Sequence, residues 1–408
     1  MKSTLISILA GSAALCSAGA FFASAQQPLP QGYTTVIPLQ SEPQTGSIQS
    51  LITNNPLPLW NYSVTASSGL GSGTYSGTIM GRSPYNHGKT TTTIPTQIIP
   101  LIITINNGGG DTQTYDPTAT DACVTTGSHT DVDVITGSPI FTNNTWTMNG
   151  VNVGNTQYID AFQRAEFWSL VGGSGYHLIL KPQVLAPQTL TFGSVSGSSG
   201  AGTNYDAVAT FRGCGFIGVV TNAALDNAVK ALITGPLAGT VNTATFPVFL
   251  IKSVVSTNSG VDIFSQCCIL GYHSAFTVGA NVQVYSPFSL DYTGTFGNSD
   301  VSTLAHEMGE AVNDPLGNNP TPVWGNIGQV SGACQNNFEV GDPLTPGHST
   351  PTNEFSLVGA NGLTYHSQEL AYFSWFYGGT SLGTGGKYSN NGTFGGSAKL
   401  CSAGGGTN

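Results

Sequence analysis

The sequence predicts an α+β protein, in which a β-rich N-terminal region precedes a domain built as a mixed sheet with one chemically marked helix packed on it. Two observations carry that expectation. Over residues 33–105, Thr, Val, Ile and Tyr alternate with Gly, Ser and Asn turns, as in "YSVTASSGLGSGTYSGTIM" and "TIPTQIIPLIITI", the pattern of short strands. Farther on, segments with apolar residues at helical spacing alternate with β-branched runs, and a sheet with supporting helices is the layered solution for such a pattern.

Each element has its local reason. In "YIDAFQRAEFWSLV", residues 158–171, Tyr158, Ala161, Phe162, Ala165 and Trp168 form a helical stripe. The Gly- and Ser-rich tract "SVSGSSGAGTN", residues 194–204, interrupts the pattern and marks the expected boundary between a region 26–204 and a domain 205–408. Beyond it come a helix at "NAALDNAVKALI" (222–233), a β-branched run "FPVFLIKSVV" (246–255), and strands around "CILGYHSAF" and "NVQVYSPF". The marked helix follows in "STLAHEMGEAVNDP". Asp300 or Ser302 can cap its start by accepting orphan backbone N–H bonds, and Asp314-Pro315 ends it because a residue before proline avoids the α region. The aromatic string "YFSWFY" (372–377) reads as a strand filling the core.

Composition narrows the class of protein. Residues 1–25 read as an export signal: Lys2 gives the positive start, an apolar stretch follows, and Ala23-Ser24-Ala25 supplies the small-residue cleavage site. A stretch this short does not span a bilayer core of about 30 Å, so no membrane anchor is expected and the chain is expected to be secreted, extracellular or periplasmic. Losing the signal removes one of ten basic residues and none of the twenty acids, leaving a net charge of −11, which disfavours nucleic acid as a partner. Charged residues make up only 7% of the chain and glycine alone contributes 54 residues, as suits a turn-rich extracellular protein. Six cysteines remain, Cys123, Cys214, Cys267, Cys268, Cys334 and Cys401, an even number that favours disulfides in an exported chain.

The chemistry concentrates in the marked helix, where His306, Glu307 and Glu310 form an H-E-x-x-E pattern. Residues four apart on a helix differ by about 40° in direction and about 6 Å in height, so His306 and Glu310 project side by side and can hold one metal ion. This is the geometry of H-E-x-x-H zinc sites, in which the Glu between the ligands takes a proton from the activated water. Carboxylate in place of the second imidazole adds negative charge and widens the choice from Zn2+ toward Mn2+ or Ca2+. Glu339, in "NNFEVGDPL", is the preferred third ligand because it enters from a separate segment, with Asp314 and Asp342 as alternatives. His273, on the strand before the helix, is placed to steady a developing oxyanion. The rival reading of each residue is structural, since solvated helix faces often carry His and Glu. Two other matches fail: "GTGGKY" lacks the spacing of a phosphate loop, and "GSVSGSSG" lacks that of a nucleophile elbow.

At these residues the chain resembles the secreted Exordium or phosphate-induced proteins of plants and their bacterial relatives, which are themselves similar to distant zincins. "VDIFSQCCILGYHSAF" looks like the family's cysteines followed by Gly-aromatic-His, and "VSTLAHEMGEAVNDPLGN" like its A-H-E-x-x-E helix. "FEVGDPL" resembles its E-I-G-D segment, and "GLTYHSQELAYFSWFY" its closing aromatic strand. The resemblance covers the C-terminal half, implies a zincin-like domain there, and marks His273, His306, Glu307, Glu310, Glu339 and Asp342. The family's cysteine after the E-I-G-D segment is absent, and Cys334 stands before Glu339 instead.

Together these features lead us to expect a metallopeptidase-like hydrolase acting on a peptide, a protein or cell-wall material. In it His306, Glu310 and Glu339 hold the metal, and Glu307 and His273 assist catalysis. The alternative is a non-catalytic binding or structural protein of the cell envelope, with a structural metal or none. Open access to the metal centre favours the first and a closed site the second.

Overall fold

In the computed structural model, residues 55–66, 71–85, 90–108, 110–120, 129–193, 207–212, 215–258, 268–291, 296, 300–325, 334–345 and 353–393 are described. The export signal, the 194–204 tract and the side chains of Cys123, Cys214, Cys267, Cys334 and Cys401 lie outside them. Cys268 is disulfide-bonded. Strands and helices are mixed, so the α+β expectation holds.

The strands in chain order are β1 (Leu59–Ala66), β2 (Gly73–Met80), β3 (Thr91–Gly108), β4 (Asp111–Tyr115), β5 (Asn144–Met148), β6 (Val151–Thr156), β7 (His177–Val184), β8 (Gln188–Gly193) and β9 (Ala207–Arg212). They continue with β10 (Gly215–Thr221), β11 (Phe246–Lys252), β12 (Val254–Thr257), β13 (Ser274–Val278), β14 (Asn281–Leu290), β15 (Pro320–Gly325), β16 (Cys334–Asn337), β17 (Glu354–Val358) and β18 (Thr364–Gln368). Helices are α1 (Asp131–Thr136), α2 (Tyr158–Glu166), α3 (Trp168–Val171), α4 (Asn222–Thr234), α5 (Ser302–Asn313) and α6 (Phe373–Phe376). No helix among the described residues is long and apolar enough to cross a membrane.

A seven-stranded mixed sheet organises the fold around β3, whose eighteen residues reach two sets of neighbours. Its first half pairs in parallel with β7 and β11, and its second half with β8 and, antiparallel, with β4. Beyond β11 the order continues to β14 and β13. The sheet is thus assembled from strands on both sides of position 204. Successive side chains of a strand face opposite ways. Val248 and Leu250 of β11 accordingly join one core with α2 and α5, while Phe249 and Ile251 join a second core with α4. Burial on both faces explains the unbroken apolar run "FPVFLI".

One run divides, and two expectations need correction. The run 246–255 is not one strand: Ser253 adopts a left-handed conformation (φ 45°), which leaves β11 in the large sheet and sends β12 to pair with β10 in a three-stranded sheet. The aromatic string fills the core as expected, but as the helical turn α6 and not as a strand. The turn packs Phe373, Phe376 and Tyr377 against Phe338, at ring separations of 5.3, 4.9 and 6.1 Å. Helix α5 is preceded by Val301 with no side-chain cap. Asp300 instead binds His366, through its amide and ring Nδ1 at 2.8 Å each, and Ser302 Oγ has no partner.

Helix α5 is buried along all twelve residues, with Leu304, Ala305, Met308, Ala311 and Val312 in the first core. It ends at Asn313 with Asp314 as its C-cap, as the following proline requires. Asn319 then locks this end to β2. Its Oδ1 accepts from Thr78 N (2.8 Å), and its Nδ2 donates to the carbonyls of Thr78 (2.6 Å) and Asn313 (2.8 Å). Replacing Asn319 by Ala strands three buried backbone groups at about 1 kcal/mol or more each, so Asn319→Ala should cost about 3 kcal/mol in chemical denaturation. A loss below about 1 kcal/mol would show that this lock does not support the fold.

Candidate metal centre

Four segments converge on the buried face of α5: the turn before β13, α5 itself, the Glu339–Asp342 loop after β16, and the end of β18. The loop wraps the helix because Glu310 Oε1 accepts the backbone N–H of Gly341 (3.1 Å) and of Asp342 (3.3 Å). Glycine is needed at 341: a Cβ there would lie 2.4 Å from His306 Nδ1, so only a bare backbone admits the imidazole this closely. Gly271 does the same for Glu307, whose Oε1 would stand 2.6 Å from a Cβ.

The result is a closed cluster. His273, Glu307, Glu310, Glu339 and Asp342 have no exposed surface, and His306 is 2% exposed. His306 Nε2 lies 3.1 Å from Glu310 Oε1 and 3.6 Å from Asp342 Oδ1. His273 Nδ1 lies 3.8 Å from Glu307 Oε2 and 3.7 Å from Glu310 Oε2, and its Nε2 lies 3.7 Å from Glu339 Oε2. Two donor groups emerge, His306–Glu310–Asp342 and His273–Glu307–Glu310, each with its ligand atoms within 4.8 Å of one another.

The expected residues are therefore together, with their partners distributed as follows. Asp342 stands with His306 and Glu310 in one donor group. Glu339 stands on the His273 side. Asp314 is occupied by the helix end, accepting the amides of Asn318 (3.0 Å) and Asn319 (3.0 Å). His273 faces three carboxylates. Sequence reasoning missed a set of neutral amides that orient the charged groups. Gln368 Nε2 donates to the Gly341 carbonyl (2.6 Å), so its Oε1 faces His306 Nδ1 (3.1 Å). That acceptor fixes the proton on Nδ1 and leaves Nε2 free to ligate. Asn337 Nδ2 ties Glu339 Oε1 (2.7 Å), and Gln335 Nε2 ties Asp342 Oδ2 (2.7 Å), in each case turning the second oxygen inward. Asn337 and Gln368 lie in segments already singled out and Gln335 just before one, but an uncharged amide carries no signal of its partner.

The cluster fits a divalent cation. Buried polar atoms normally find partners. Here His273 Nδ1 and Nε2, His306 Nε2, both oxygens of Glu307, Glu310 Oε2 and Glu339 Oε2 make no hydrogen bond. Burial drives Glu339 and Asp342 well above the usual carboxylate range, with the Glu310 charge adding to it. Burial also raises Glu307, offset only in part by His273 and His306. Glu310 resists burial because the His306 and His273 charges and the Gly341 amide hold it low. Compared with family models, with curated proteins and with solved structures, the chain matches none.

In the metal-free protein, burial works against a charged His306, but the neighbouring carboxylates of Glu310, Glu307 and Asp342 prevail and push it up from 6.5 to about 10. A group whose pKa is raised by folding stabilises the fold while protonated. The metal-free chain should therefore lose stability as pH rises from 6.5 toward 10. Metal binding requires that proton to leave, so the rise in Tm on adding saturating divalent metal should grow over the same window. Thermal melts with chelator and with metal check this. A metal-free Tm that is flat or rising across that window would contradict it.

Proposed function

We propose that the chain is a secreted metal-dependent hydrolase of metallopeptidase type, with a zincin-like site helix. The observation that carries the reading is Glu307: a buried carboxylate with neither oxygen hydrogen-bonded, next in sequence to His306 and one turn from Glu310, within the convergent donor cluster. His306 Nε2, Glu310 and Asp342 would hold the ion. When bound, a divalent cation supplies a Lewis acid that polarises a carbonyl and lowers the pKa of water.

The chain's own residues supply the rest. Gln368 keeps Nδ1 of His306 protonated and its ring oriented, and Gln335 holds Asp342 so that Oδ1 turns to the cluster. Glu307, raised by burial above its ordinary range, would accept the proton from water and return it to the leaving nitrogen. The unmatched buried oxygens would otherwise be costly, which favours a group that acts on something absent from the resting chain. Export and disulfide bonding belong to the same reading and rest on residues 1–25 and the six remaining cysteines.

One observation favours a second reading. The cluster is closed to solvent, and a closed coordination sphere suits a structural ion in a binding or envelope protein. Hydrolysis at this site requires an opening that admits substrate. Glu307→Gln separates the two readings. In a hydrolase it should leave the ion held by His306, Glu310 and Asp342 in place and lower kcat by about 100-fold or more on a cleaved peptide, the scale of a lost general base. Undiminished turnover in that variant would remove Glu307 from the chemistry, and absence of turnover by the metal-loaded parent protein on any peptide or cell-wall substrate would favour the structural ion.

A further inference from the structure

A single ion on His306, Glu310 and Asp342 leaves half of the cluster unexplained. His273 is fully buried with neither ring nitrogen hydrogen-bonded, and both of its nitrogens face carboxylate oxygens at 3.7–3.8 Å. That separation is too long for a hydrogen bond and leaves room for an ion between donors. Glu307 Oε2 and Glu310 Oε2 complete a second group of three donors on that side. Glu310 belongs to both groups and divides its oxygens between them: Oε1 faces His306, and Oε2 faces His273.

We propose that this is a two-cation centre, in which His306, Glu310 and Asp342 hold one divalent ion, His273, Glu307 and Glu310 hold a second, and the Glu310 carboxylate bridges them. The proposal rests on the metal-binding part of the function proposed above and extends it. On the far side of the second imidazole, Nε2 faces Glu339 Oε2 at 3.7 Å, and Asn337 anchors the other oxygen of Glu339. The far nitrogen of His306 is fixed by Gln368.

Charge balance leads to the same count. Four carboxylates, Glu307, Glu310, Glu339 and Asp342, line the cluster with two imidazoles, while Asp314, also buried, is held by the amides of Asn318 and Asn319. One dication offsets two of those charges, and two dications offset all four with neutral imidazoles. Carboxylates and imidazoles in this ratio hold paired iron or manganese ions in carboxylate-bridged helical bundles. Four oxygen donors also suit Mn2+ or Fe2+ better than a thiolate-seeking ion. Glu307, coordinating through Oε2, keeps Oε1 free to exchange protons.

The test uses the whole chain, freed of metal by chelation, dialysed against excess Mn2+ and then against buffer. Elemental analysis should give two Mn2+ per wild-type chain and one in each of His273→Ala and His306→Ala. Electron paramagnetic resonance of the fully loaded wild type should show the multiline signal of two exchange-coupled ions, a readout that needs no variant to fold. A wild type that saturates at one Mn2+, with an uncoupled six-line signal and no loss in His273→Ala, would overturn the second position while leaving the first intact. A wild type that binds none would overturn both.

Discussion

Four carboxylates buried side by side are the constraint to which the surrounding structure answers. Each would be far more stable in water, and together they repel. Their placement is sustained by what reaches them: two imidazoles, two backbone amides from the loop at Gly341, and three side-chain amides that each fix one oxygen or one ring nitrogen. Glu310 sits at the centre of this arrangement and is the carboxylate with the most positive surroundings, which is why it alone of the four is held below its ordinary range.

The sheet makes such a centre feasible by supplying apolar walls. Because β11 and β14 lie inside the sheet with side chains packed on both faces, α5 can be sunk completely into one core while α4 covers the other. Full burial of a helix usually requires apolar residues all round. Here the polar side of α5 meets the Glu339–Asp342 loop and the end of β18 in place of solvent.

Local features were legible in the sequence to the extent that their causes are local. The spacing of His306, Glu307 and Glu310 follows from helix geometry alone, and the proline after Asp314 fixes where that helix stops. The α+β class followed from the alternation of strand and helix patterns. What could not be read depends on tertiary register. The left-handed turn at Ser253 has no glycine to announce it, and the aromatic string declares burial without declaring period. Asp342 and Glu339 were both visible as candidates. Gln335 holds Asp342 and Asn337 holds Glu339 in their orientations, contacts that the sequence alone does not announce.

Gln368 closes the cluster and also ends β18, and its own carbonyl accepts the hydroxyl of Tyr158 from α2 at 2.6 Å. A chain growing from its N-terminus has made α2, the turn before β13, α5 and the Glu339–Asp342 loop before this residue exists. His306 therefore lacks its orienting partner until almost the entire domain has been synthesised. The donor cluster is thus complete with its orienting amide only once β18 has been made.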